Sequence, residues 1–75
     1  MPSLYNIMAT IYLEDNNSVL LENPNAPGGP QTLMTCSYVE YAKIAYLLKL
    51  LGYRAENVTF EESSIHVMYT LGDGR

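Results

Sequence analysis

The chain has a single cysteine, Cys36, and a single histidine, His66, among its 75 residues. One cysteine closes no loop within the chain, so disulfides do not support the fold. One Cys and one His fall short of the four ligands of a structural zinc site, and no metal or other cofactor is expected. Basic residues are almost as scarce. Lys43, Lys49, Arg54 and Arg75 are the only four, they do not cluster, and eight acidic residues outnumber them to leave a formal charge of −4. A phosphate-binding surface needs grouped Lys and Arg, so direct binding to nucleic acid is not expected.

Other signals are missing too. No apolar run approaches the ~20 residues that span a bilayer. The first residues, MPSLYNIMATIYLED, have neither a basic region nor a small-residue cleavage pattern, unlike a secretory signal. The expectation is a soluble, cytoplasmic protein without a membrane partner, in which the two N-x-S/T matches at Asn16 and Asn57 have no role. No D-x-[DN]-x-[DN]-G calcium loop is present, and no Gly-Lys-Ser/Thr follows Gly28-Gly29 to make a phosphate cradle.

What is abundant is apolar surface. Hydrophobic residues form 48% of the chain and charged ones 16%, which argues against disorder. At this length burial and chain entropy nearly cancel, and small domains commonly add a disulfide, a metal or self-association. With the first two excluded, self-association remains, and a homodimer is expected.

Residues 37–52, SYVEYAKIAYLLKLLG, carry the strongest local signal. Ser37 and Glu40 form an S-x-x-E capping box, and Gly52 stands where a left-handed terminator is wanted, followed by Tyr53 as the cap contact. At 100° per residue Tyr38, Tyr41, Ile44, Ala45 and Leu48 share one side, while Val39, Ala42, Tyr46 and Leu50 share another. A sheet covers only about half of such a cylinder. The rest, rich in tyrosine, suits an interface.

Residues 4–13 read as a strand, their β-branched and aromatic content outweighing a helical alternative. Residues 14–18, EDNNS, form a turn, and residues 19–22 return as a second strand. An exposed Pro/Gly connection, 23–31, follows; Pro24, Pro27 and Pro30 repeat as in a PxxP ligand, but the glycine pair and the lack of a basic flank favour a plain linker. After the helix come strands at 57–60 and 65–71 joined through residues 61–64, then a frayed tail, 72–75. The fold class is therefore α+β: one domain, 1–75, with a small antiparallel sheet in ββαββ order packed on one amphipathic-to-apolar helix. The sheet face away from the helix would carry Asn6, Met8, Thr10, Tyr12, His66, Met68 and Thr70.

No catalytic set emerges. Cys36 just precedes a helix cap, where a thiol can be activated, but its only base would be His66, and that pairing is no motif. A half-buried Cys36 and a sheet-surface His66 are the simpler expectations. Glu14, Asp15, Glu61 and Glu62 occupy the two proposed turns as a candidate acidic surface for a basic protein partner. Whether the turns lie at one end of the sheet is open, because the 23–36 connection permits either arrangement. Met8, Tyr12, Val39, Tyr46, Leu50 and Met68 are the candidate apolar interface. Compactness, acidity and lack of catalytic groups make the chain similar in type to small inhibitors of viruses and mobile elements, such as anti-CRISPR proteins that block nucleic-acid-handling complexes; no motif carries that similarity. The expected function is a non-catalytic protein-binding module of that kind, with an assembly subunit acting through homo-oligomerisation as the alternative.

Overall fold

The computed structural model describes residues 6–14 and 18–71. It is an α+β fold with strands β1 (Asn6–Tyr12), β2 (Ser18–Asn23) and β3 (Gln31–Ser37), helix α1 (Tyr38–Leu50), then β4 (Tyr53–Phe60) and β5 (Ser64–Leu71). The strands form one antiparallel sheet in the order β3-β2-β1-β5-β4. Positions 4, 5 and 72–75, including the tail expected to fray, lie outside the described residues, as does Asp15.

Residues 6–12 are a strand, and their alternation selects the faces. Ile7, Ala9 and Ile11 are buried toward the helix with Val19, Leu21, Cys36, Val67 and Tyr69, and Tyr41 and Leu48 of α1 close over them. Ile44, Ala45, Tyr53 and Ile65 pack at the margin. On the opposite face the pairs Met8–Met68 and Thr10–His66 lie side by side, with Asn6–Thr70 next in register.

One strand, β4, is longer than the sequence indicates and one, β3, is not indicated by it at all, for one physical reason. Each contains a bulge, an extra residue that breaks the period of two. In β3, Leu21 pairs with Met34 but Glu22 with Thr32, which leaves Leu33 over; in β4, Tyr69 pairs with Ala55 but Met68 with Asn57, which leaves Glu56 over. Residues 31–36, the second part of the 23–36 connection expected from the sequence, thus form a third strand before the helix. The Pro/Gly connection shortens to residues 24–30, because Asn23 and Gln31 pair as strand residues. Gly28 and Gly29, at φ +84° and +118°, supply the backbone values this turn needs.

The helix begins as the sequence indicates. Ser37 Oγ accepts from the Glu40 N–H and Glu40 Oε1 accepts from the Ser37 N–H, both at 3.1 Å. Gly52, at φ +102°, ends it by donating its N–H to the Lys49 carbonyl. Leaving β3 at one edge and entering β4 at the other, the 13-residue helix spans the sheet diagonally. It is about 10 Å thick, and four strand spacings make the sheet about 19 Å wide. One helix cannot cover that width. Met34 on β3 and Val58 and Phe60 on β4 point to the helix side by their pairing with Leu21, Val67 and Ile65, yet all three are exposed.

Inside the core the hydroxyls of Tyr41 and Tyr69 bond to each other, and no buried side-chain polar atom among the described residues lacks a partner. Burial, then the Tyr69 hydrogen bond, pushes the Tyr41 hydroxyl far above its ordinary value of 10.0. The folded state therefore holds this proton more tightly than the unfolded chain does. Stability should be intact below pH 10 and fall as pH rises above it, and denaturant titration should show a flatter alkaline limb for Tyr41→Phe. That variant should cost about 1–3 kcal/mol by stranding the Tyr69 hydroxyl, and Tyr41→Phe/Tyr69→Phe should cost less than the two single changes summed. Gly52→Ala should lose roughly 1–2 kcal/mol through its φ, since the nearest atom, Leu71 Cδ1, sits at an ordinary 3.6 Å from the added Cβ.

Candidate functional site

The third strand decides where the acidic turns fall. With β3 present, the chain crosses the sheet three times before the helix returns it, so β4 starts at the end opposite the β1–β2 turn and finishes beside it. The two turns therefore share one end, and the N–H of Leu13 donates to the carbonyl of Ser63 at 2.9 Å across them. Glu14, Glu61 and Glu62 are all exposed there. The fourth candidate carboxylate, Asp15, lies outside the described residues. The N-terminus of α1, with Glu40 in its first turn, opens at the same end. Lys49 and Arg54 lie toward the opposite end, where Arg54 pairs with Glu56 at 3.0 Å on the surface. The charge thus runs along the strands.

A shallow notch of about 220 Å³ opens at the acidic end, lined by Ile11, Leu13, Tyr38 and Ile65. The strand tops provide its floor and the first residue of the helix its wall. The Tyr38 ring is braced by Tyr41, with centroids 6.1 Å apart at 42°. Phe60, the cross-strand partner of Ile65, stands 75% exposed at the last position of β4, immediately before Glu61. Leu13, Tyr38 and Phe60 were not among the interface residues expected from sequence. The chain's only phenylalanine abutting an acidic turn was the available signal.

The six residues expected to form an apolar interface do not come together. Met8, Tyr12 and Met68 belong to the open sheet face, where a groove of about 310 Å³ runs past Met8, Met68, His66, Asn57 and Thr59. Val39, Tyr46 and Leu50 belong to the outer side of α1, with its layer between them and the sheet.

His66 joins the open face to the acidic end. Its Nδ1 lies 3.1 Å from the buried Thr10 Oγ1, and its Nε2 lies 3.4 Å from Ser64 Oγ and 3.5 Å from Glu61 Oε1. Serine, histidine and glutamate are within reach of one another, but the arrangement is not a relay. A relay needs the hydroxyl and the carboxylate on opposite ring nitrogens, so that the carboxylate fixes the tautomer that accepts the serine proton. Here both face Nε2. The geometry instead anchors the Glu61 turn to the sheet.

Cys36 is buried among the core residues one position before the cap. Burial first, and the charge of Glu40 second, push its thiol up, which opposes the activation a helix N-terminus can give. No group of three or more His, Cys, Asp or Glu among the described residues is placed to hold a metal ion, and no described helix is long and apolar enough to cross a membrane. Compared with known protein families, with curated proteins and with solved structures, the chain finds no match in any of the three.

Iodoacetamide should modify Cys36 in the folded protein at least tenfold more slowly than in the urea-unfolded chain at the same pH, because only the thiolate attacks and the thiol is both buried and raised. Mass spectrometry of quenched time points gives the rates. Equal rates would mean an accessible thiol.

Proposed function

We propose that this protein is a non-catalytic protein-binding module, an acidic inhibitor of a nucleic-acid-handling complex of the viral or mobile-element (anti-CRISPR-like) type, and that it docks through the end of the sheet bearing the two acidic turns. The observation that carries the reading is their meeting: Leu13 and Ser63 tie the turns together beside an apolar notch, one of whose lining residues, Ile65, pairs across strands with the exposed Phe60. Carboxylates around an aromatic and aliphatic centre match the anatomy of an interface in which a few buried anchors supply affinity. The charges supply steering and discrimination. A partner that handles nucleic acid presents the basic groove such a surface complements. Glu14, Glu61 and Glu62 are the contacts to basic side chains, and Tyr38 and Phe60 supply anchor area.

A second reading, an assembly subunit acting through self-association, is favoured by the outer side of α1, where apolar residues stand in water. Mass in solution separates the two: a closed dimer that captures no other component supports assembly.

The inhibitor reading is tested by affinity capture from lysate of the cells in which the protein acts, using wild-type and Glu61→Lys/Glu62→Lys baits side by side. The expected result is a nucleic-acid-binding assembly that elutes from the wild type with rising salt and is depleted at least tenfold on the variant. Equal capture by both baits would overturn docking through the acidic end.

A further inference from the structure

The outer side of α1 carries a seam at Val39, Lys43, Tyr46 and Leu50. Val39 is 69% exposed, Tyr46 62% and Leu50 64%, although the helix is internal to the chain and firmly capped at both ends. Intervals of four, three and four residues place these side chains in one line, the pattern of a helix that packs along another helix. The same intervals read identically from either end. A second copy laid antiparallel, with its dyad level with the midpoint between Ile44 and Ala45, sets Val39 against Leu50 and Lys43 against Tyr46, each pair occurring twice.

We propose that two copies of this chain associate through α1 as an antiparallel helix pair in that register. The proposal rests on the self-association reading above and is independent of docking through the acidic end. Two observations select a second copy running in that direction.

The first is chemical complementarity. The two apolar seam residues meet each other, and each Lys43 ammonium meets a tyrosine face, an arrangement with its own attraction. A parallel pair would oppose Lys43 to Lys43.

The second is the field of the whole chain. Glu14, Glu40, Glu61 and Glu62 gather at the end where α1 starts. A parallel pair would set these four carboxylates beside the same four of its partner; the antiparallel pair sends them to opposite poles.

The register can be tested with the chain as it stands. Sedimentation of the wild type should give a dimer. Leu50→Lys, a change at an exposed position, should give a monomer with an unchanged far-ultraviolet spectrum. In a Cys36→Ala background, Val39→Cys and Leu50→Cys proteins should each stay uncrosslinked when oxidised alone, because like positions lie about 16 Å apart along the axis at 1.5 Å per residue. Mixed and re-equilibrated, the two should yield a covalent dimer, since positions 39 and 50 then face each other within disulfide reach. A wild type that stays monomeric at 100 µM would overturn the proposal, as would a dimer that survives Leu50→Lys or one in which Val39→Cys crosslinks to itself. Each of these readouts leaves Glu61 and Glu62 untouched, so its failure is distinct from failure of the acidic-end reading.

Discussion

A single helix is asked to roof a sheet roughly twice its width, and the character of this protein's surface follows from that mismatch. The chain must travel from the β3 edge to the β4 edge and has only 13 helical residues for the crossing. Tyr41, Ile44, Ala45 and Leu48 seal the strip beneath α1. Residues beyond the strip keep the apolar character appropriate to a sheet interior without the cover. Met34 on one side and Val58 and Phe60 on the other are the outcome.

The two sheet faces meet the shortage of cover differently. On the helix side the interior is apolar apart from the paired hydroxyls of Tyr41 and Tyr69, which satisfy each other. The open face buries Thr10 at its centre and satisfies it with His66. Next to that polar pair, Met8 and Met68 place flexible, polarizable side chains in the middle of the face, with Asn6 and Thr70 beyond them. One face of the sheet thus sets a polar network beside a deformable methionine pair without a second layer.

Much of this was readable in the residues. The capping box at Ser37 and Glu40 and the terminator at Gly52 are local chemistry, set by backbone groups a few residues away, and both occur where the sequence places them. The inward set Ile7, Ala9 and Ile11 was legible because small or branched apolar residues alternate with residues of another kind. β3 and the first half of β4 were not legible, because Leu33 and Glu56 shift the phase of the alternation midway. In-facing positions then fall at 31, 34 and 36 in β3 and at 53, 55, 58 and 60 in β4, series that match neither strand nor helix. Missing β3 had a cost beyond one element, since without that pass across the sheet the end at which the later turn falls stays open. Glu61 and Glu62 could be named as candidates, but their meeting with Glu14 depended on a strand that sequence periodicity hid. The division of Met8 and Tyr12 from Val39 and Leu50 between two layers was implicit in the face assignments and became concrete only with the helix laid on one side.

The displaced residues in β3 and β4 sit in the two outermost strands, so neither border of the sheet offers a straight, regular ladder to an incoming chain. Irregular borders of this kind discourage strand-by-strand growth. A protein with this much uncovered apolar surface is thereby steered away from fibrils, and the contacts left to it are finite ones made by side chains.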